Sequence, residues 1–460
     1  MKDVISDSQA AFEAEALGAL FGGMAEAGLR HAVLRNYENL PDSVGARDID
    51  IVVHPDDLSA ACALVADTAR SMGLRLGNHF ADERLTQFAL VRRDADGGLQ
   101  QIKIDFFIRS EVYGIEILSA GDMLADLRHH NGVPVVADRV LLLDKWLFHL
   151  LVGRPVHAKY DADFAAIAGA EGAALVRSLS RFLPPARTTE LVDALAAGKG
   201  STLVLARAER RRALARLWAA QGLAALPRSL RFMGFRLRDR LRPHGVFLSV
   251  SGPDGAGKTT VIDMVITQLG AIYGEGAVHY AHFRPTMLPR IAEVAKKARA
   301  VETVDVNYDQ PHRAKPSGLG GSAARLAYYW LDYMGGYFRS VRPVLKRREV
   351  MLFDRYYYDM IADSFRSRIA LPMPLLLAMG RILPLPHYAF FIHVDPDEIH
   401  RRKQELTMER IAALNARYGT LADSGWLIRI DNNGAPEDAA AAIVDRIVAD
   451  RHARAPRALR

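Results

Sequence analysis

The sequence predicts an α/β protein whose C-terminal half is a parallel sheet with helices on both faces, preceded by a smaller α+β domain and a helical subdomain. Three observations point there. From about residue 244 the chain alternates short runs that are apolar on both sides, such as "VFLSVSG", "VMLFD" and "YAFFIHV", with helical stretches. Strands apolar on both sides are buried on both faces, and their parallel pairing needs helical crossovers. Residues 1–120 instead mix helical stretches with strands that meet around turns, and 121–206 are helical in period. At 460 residues the chain is also too long for one ordinary core.

In order, residues 8–29 have helical spacing, "HAVLRNY" and "DIDIVV" read as strands separated by the turn-forming "LPDSVGAR", and "LSAACALVADTARSMG" reads as a helix. "FALVRR" and "QIKIDFFIR" form an antiparallel pair around "DADGG". Between 121 and 206 the predicted helices are "GDMLADLRHH", "ADRVLLLDKWLFHLLVG", "YDADFAAIAGA", "EGAALVRSLSRFL" and "TTELVDALAAG". Residues 207–243 form a basic linker: 207–242 hold eleven arginines against Glu209 and Asp239, with Leu, Trp and Phe interleaved. Such a segment is either a solvated helix with one apolar stripe docked on its own protein, the favoured reading, or a peripheral contact to an anionic membrane or a nucleic acid. Residues 244–460 then alternate strand and helix to a last helix over 437–452.

Composition sets bounds on function. The chain is 50% hydrophobic and 25% charged, with a formal net charge of +7, which suits anionic ligands such as nucleotides but implies no specific nucleic-acid binding. Its single cysteine, Cys62, leaves no intrachain disulfide and fits a reducing compartment. The acidic start lacks the basic n-region of a secretory signal, and no run of 18 apolar residues occurs. The expected location is cytoplasmic.

The strongest motif is Gly252-Pro-Asp-Gly-Ala-Gly257-Lys258-Thr259, which matches G-x-x-x-x-G-K-[ST] between an apolar strand and an apolar helix. Its glycines let backbone N–H groups curl around phosphates where a Cβ would obstruct them. The helix that starts at Lys258 aims its positive dipole end at the same anion. This P-loop predicts ATP on Gly252, Gly255, Ala256, Gly257, Lys258, Thr259 and Thr260, with Lys258 on the β and γ phosphates and the Thr259 hydroxyl on Mg²⁺. Asp354 ends an apolar strand, where it can organise Mg²⁺ or its waters, and Arg355 just beyond can fork onto an acceptor phosphate.

Asp254 inside the loop and "FDRYYYD" further on resemble the thymidylate kinase family, whose loop reads G-x-D-G-x-G-K-[ST]-[ST] and whose third-strand end reads D-R-[YHF]. The resemblance covers roughly 245–450 and implies a P-loop NTPase fold and phosphoryl transfer from ATP with Mg²⁺. It implies catalytic roles for Lys258, Arg355, Asp254 and a lid arginine. "DEIHRRKQELTMERIAALNARY" supplies Arg402, with Arg401 and Lys403 as alternates, before a helix reaching Tyr418. It also implies Arg284 of "HFRPTMLP" as a substrate residue beside Arg355. The flanking Glu and glycine pair of the family's acceptor motif are absent, and "ARLAYYWLDYMGGYFRSVRP" offers aromatic faces but a different arginine pattern, so the phosphate machinery matches better than the base site.

In the first half, Asp48 and Asp50 are two apart on a strand and so share a face, and Asp105 lies mid-strand among apolar residues. Three carboxylates on neighbouring strands could hold Mg²⁺ for attack on a nucleotide α-phosphate. The pattern resembles the polymerase-β-type nucleotidyltransferase superfamily. Its Gly-Ser or Gly-Gly pair is replaced by "LRNYENLPDSVG", where Arg35 could contact phosphate instead.

The expected function is ATP- and Mg²⁺-dependent phosphoryl transfer to a nucleoside monophosphate, fused to a nucleotidyltransferase-like domain. Two alternatives stand beside it. One is a kinase for a sugar or lipid-linked intermediate of polysaccharide biosynthesis. The other is a non-enzymatic nucleotide-gated switch.

Overall fold

The computed structural model describes residues 7–44, 48–283, 318–402 and 407–456. The chain divides into two compact units, 1–238 with 448–460, and 239–447.

The first unit is built on a mixed seven-stranded sheet. Its strands are β1 (His31–Arg35), β2 (Ile49–Val53), β3 (Arg75–Ala81), β4 (Leu85–Arg93), β5 (Leu99–Phe107), β8 (Leu127–His130) and β9 (Val133–Val136), while β6 (Arg109–Val112) and β7 (Ile115–Ser119) form a separate hairpin. The spatial order is β3-β4-β5-β2-β1-β9-β8. The expected β4–β5 antiparallel pair is present, and β2 runs parallel to β5 with Asp50 opposite Asp105. Helices Asp7–Glu26 and Leu58–Ser71 pack on one face over a core that includes Phe12, Leu17, Ile51, Phe88 and Phe106.

The sequence expectation fails over 121–136. Only Ala120–Met123 is helical there, and "LRHH" and "VPVV" are strands β8 and β9, paired antiparallel. The turn between them is Asn131-Gly132, with φ of 50° and 83°. Two consecutive left-handed residues make the tight turn that suits the twist of a hairpin, so Asn-Gly overrides the helical spacing. Helical structure begins at Asp138 and runs through Asp138–Val152, Asp161–Leu179 and Pro185–Ala196. These helices close over Trp146, Leu150, Phe164 and Leu179. The basic segment is two further helices, Arg207–Ala220 and Ala225–Leu241. Ala213 and Leu217 of the first belong to the same core.

The second unit holds β10 (Val246–Ser251), β11 (Val278–His282), β12 (Val350–Asp354), β13 (Tyr388–His393) and β14 (Ile428–Asp431). All pairings are parallel, in the order β11-β12-β10-β13-β14. Every residue of β10 and β12 is buried, as strands with helices on both faces require. The central strand is the one that leads into the glycine loop, so the loop emerges at the carboxyl edge with β12 and β13 on either side. No described helix is long and apolar enough to cross a membrane.

Trp146 is 1% exposed in the helical core of the first unit. Trp146→Ala is expected to destabilise that unit by about 3–5 kcal/mol, seen as an earlier first-unit transition in chemical denaturation.

Candidate functional site

Loop 252–257 curls because three glycines take positive φ values that other residues rarely adopt: 150° at Gly252, 90° at Gly255 and 77° at Gly257. At two of them space is also short. A Cβ on Gly252 would lie 2.8 Å from the Ile392 carbonyl oxygen, and one on Gly257 would lie 2.8 Å from Nδ2 of Asn432. Asn432, just after β14, donates from that nitrogen to the Ala256 carbonyl at 2.8 Å and so ties the far edge of the sheet to the loop. Helix Lys258–Tyr273 follows directly, with Thr259 and Thr260 exposed at its first turn.

Lys258 is buried, and its Nζ donates to the carbonyl oxygens of Gly252 at 3.0 Å and Pro253 at 2.7 Å. Burial and the nearby Arg355 charge bring its pKa down to about 7, against the opposing pull of Asp254, Asp354 and Asp359. Asp254 Oδ1 lies 3.9 Å from the same nitrogen and only partly offsets the cost of burying its charge.

Asp354 closes β12. Its Oδ2 accepts from Tyr280 Oη at 3.4 Å and lies 3.1 Å from His282 Nδ1, both on β11. Its Oδ1 is buried with no hydrogen-bond partner among the described residues. Burial alone would raise this carboxyl, but His282, Lys258 and Arg355 outweigh it and hold the pKa below the ordinary value.

Arg355 follows with φ 71°, a left-handed turn that swings its side chain back under the loop. The guanidinium is 3% exposed and reaches Asp254 Oδ1 at 2.5 Å and Asp359 Oδ1 at 2.9 Å. Arg366 adds a bond to Asp254 Oδ2 at 2.7 Å. Burial disfavours charge on Asp254, yet Arg355, Lys258 and Arg366 together hold its carboxyl well below the usual range. Asp359 is saturated in turn: Ser251 Oγ donates at 2.6 Å, Tyr418 Oη at 2.7 Å and the Tyr356 backbone N–H at 3.1 Å.

Of the cations on helix Pro396–Arg402, Arg402 donates from Nε to Glu398 at 2.7 Å, and its Nη1 is 3.6 Å from the Cβ position of Gly257. Arg401 turns outward and chelates Glu398 at the surface. Arg284 and Lys403 lie outside the described residues.

The structure thus brings Asp254, Lys258, Asp354, Arg355 and Arg402 around one loop. Sequence reading missed Asp359, Arg366, Asn432 and His282. Asp359 was readable as the residue four beyond Arg355 on a helix start. The others arrive from remote elements and carry no local signal. On helix Leu319–Gly336, the expected source of aromatic faces, Tyr333 is fully buried and donates to the Phe283 carbonyl at 2.8 Å, while Trp330 donates to the Met379 carbonyl at 3.2 Å.

In the first unit, Asp48, Asp50 and Asp105 each offer a carboxylate oxygen within 4.8 Å of the others. Burial pushes Asp50 up to about 7, although Arg35 opposes it, and Asp105 up to about 6. Gln87 donates to Asp105 at 2.6 Å. Arg35 points into this cluster and bridges Asp50 at 2.6 Å and Asp144 at 3.2 Å.

No family model matches the chain. Over 157 residues, 34% of this chain and 68% of the relative, it is 26% identical to a probable thymidylate kinase of Pyrobaculum calidifontis. A solved thymidylate kinase of Ehrlichia chaffeensis aligns at 16% identity with a TM-score of 0.30, covering 45% of this chain and 99% of that one. Part of the chain is therefore similar in sequence to a thymidylate kinase.

Two stability outcomes follow from the ion-pair network. Asp359→Asn leaves the buried Arg355 charge short of a partner and is expected to cost the second unit about 3–5 kcal/mol in chemical denaturation. Asp254, with its folded pKa depressed, contributes stability above the unfolded carboxylate value of about 3.9 and loses it as pH falls through the lower folded value. Denaturation measured from pH 6 to pH 2 is expected to show Asp254→Asn less stable at the upper end, with the gap closing toward the lower.

Proposed function

We propose that the second unit is an ATP- and Mg²⁺-dependent phosphotransferase of the thymidylate kinase-like type, with a nucleoside monophosphate as the simplest acceptor. The observation that carries the reading is a glycine loop curled around a buried lysine whose hydrogen-bonded partners among the described residues are two neutral carbonyls, with Asp254 Oδ1 at 3.9 Å. A bound polyphosphate would add negative charge beside this lysine and offset the burial that lowers its pKa. Phosphoryl transfer asks little covalent chemistry of the protein and depends on cations placed over the migrating group.

In this reading the backbone of Gly252, Gly255, Ala256 and Gly257 holds ATP with Lys258, Thr259 and Thr260. The unpartnered Asp354 Oδ1 and the exposed Thr259 hydroxyl at the edge of the loop suit a hard cation and its waters, so the residues present fit Mg²⁺. Bound there, Mg²⁺ would offset charge on the phosphates. Arg402, beside Gly257, is the lid cation favoured to neutralise charge developing in transfer. Arg355 is engaged at both ends, so it can grip an acceptor phosphate only by exchanging Asp254. Arg366, on the same carboxylate and 23% exposed, is the second candidate for that contact. Asp254 orients both arginines. Arg284 keeps its proposed place on the acceptor side through the resemblance alone.

A second reading attaches to the first unit, supported by the convergence of Asp48, Asp50 and Asp105. It is divalent-cation binding for nucleotidyl transfer. Arg35 already offsets one of those charges, so it competes with a cation for Asp50 unless it turns to a phosphate.

The deciding assay is ADP release with a panel of nucleoside monophosphates, sugars and lipid-linked sugars. Turnover with a nucleoside monophosphate supports the main reading, turnover only with a sugar or lipid-linked acceptor replaces it, and ATP binding without acceptor-stimulated release favours a switch. Lys258→Ala is expected to lower kcat/KM by roughly 10²–10³-fold or more. Nucleotide binding should also take up protons. At pH 8 a lysine with a pKa of about 7 is mostly neutral, and a bound polyanion favours its charged form. Calorimetry in two buffers of different ionisation enthalpy is expected to show uptake of up to one proton near pH 8, vanishing below about pH 6 and absent in Lys258→Met. For the first unit, Asp48→Asn with Asp50→Asn is expected to abolish pyrophosphate release from nucleoside triphosphate. No release from the parent protein would remove that reading.

A further inference from the structure

Helix Ala225–Leu241 carries two different apolar faces. One is aromatic and turned toward its own unit: the Phe235 ring lies 5.8 Å from Phe80, and the Phe232 ring lies 6.5 Å from Tyr113. A Cβ on Gly114 would sit 2.8 Å from Phe232, so the hairpin tip there is shaped to the helix. The other face is aliphatic and turned outward. Leu226, Leu230, Met233 and Leu237 are between 50% and 65% exposed. Their spacing of four, three and four residues keeps them within a wedge of roughly 60° at 100° per residue. Just before the helix, Leu223 is 91% exposed and extends the row. An amphipathic helix that merely docked on its own protein would turn this stripe inward. Here the docking is done by the phenylalanines, and the aliphatic stripe is left over.

The border of the stripe is cationic. Arg236 and Arg240 lie on one side and Arg231 and Arg238 on the other, all exposed. Arg236 stacks over Phe232, with its guanidinium carbon 5.9 Å from the ring centroid, and Arg231 lies 3.2 Å from Glu83. The helix has five arginines and a single acid, Asp239, which is half-buried and lies 3.4 Å from Arg348, away from the stripe. On the preceding helix, Arg211, Arg212 and Arg216 are exposed as well.

We infer that this face docks the protein on the surface of an anionic lipid bilayer, with the helix lying in the interface plane. Aliphatic side chains flanked on both sides by arginine match the acyl and headgroup layers of such a surface. A second copy of the chain fits worse, because two such faces would bring arginine against arginine with no carboxylate between them. A nucleic acid would engage the arginines but leaves Leu and Met without a role, since it is gripped by cations and stacking rings. The inference is independent of the phosphotransferase reading and of any residue around the glycine loop.

Flotation of the full chain with vesicles tests it. Vesicles of phosphatidylcholine containing phosphatidylglycerol are expected to carry the protein, and phosphatidylcholine alone to carry it at least tenfold more weakly. Added salt should weaken the binding. Leu230→Glu with Met233→Glu should reduce it tenfold or more, and Arg236→Glu with Arg238→Glu should erase the preference for anionic lipid. A Leu230→Trp variant keeps the charge and surface intact, and its emission should shift to the blue on anionic vesicles. Absence of flotation on anionic vesicles overturns the inference. So does binding that survives the Leu230→Glu, Met233→Glu pair, an unshifted Leu230→Trp spectrum, or a pair that abolishes self-association or RNA binding while lipid binding is absent.

Discussion

A buried guanidinium organises the second unit. Arg355 is 3% exposed, and a charge so placed must be paired on every side. Its two carboxylates come from different places: Asp254 from the glycine loop and Asp359 from the helix that follows β12. Asp359 then gathers Ser251 at the end of β10 and Tyr418 on helix Met408–Asp423. One charge therefore draws together the loop, the ends of two central strands and helix Met408–Asp423. The positive φ at Arg355 is the local strain that lets the side chain turn back to do this.

The two units place arginine against carboxylate with opposite results. Asp254 faces three cations and stays ionised far into acid. Asp50 has one arginine, is surrounded by Asp48, Asp105 and Asp144, and is pushed up to about 7. Cations surround the Asp254 carboxylate, whereas carboxylates outnumber the one arginine beside Asp50.

Much of this was legible from residue order alone. The strand–glycine loop–helix unit is local, and its glycines declare the backbone they need, so Gly252, Gly257 and Lys258 could be placed from spacing. The parallel sheet was legible because strands buried on both faces are apolar on both. Asp48 and Asp50 share a face by the period of a strand. What stayed hidden was tertiary or overridden by a turn. Nothing near Asn432 in sequence says that its amide will meet Ala256, and nothing near Arg366 says that it will share Asp254. At 121–136 helical spacing misled because Asn131-Gly132 bends the chain into a hairpin that spacing does not register. In the basic segment, the arginine count was plain, but only the structure separates the inward phenylalanines from the outward leucines.

The position of β10 at the middle of its sheet has a consequence for how the chain acquires its shape. One neighbour, β12, pairs Val246 with Val350, and the other, β13, is joined through Phe247 and His387, 140 residues apart. The strand that leads into the glycine loop therefore takes both of its neighbours from far along the chain. Loop closure of that length is slow relative to local helix formation, so the unit belongs with high-contact-order folds. Until both neighbours are in place the six residues of β10 have an open edge, and protection of that strand from hydrogen exchange during refolding marks its enclosure.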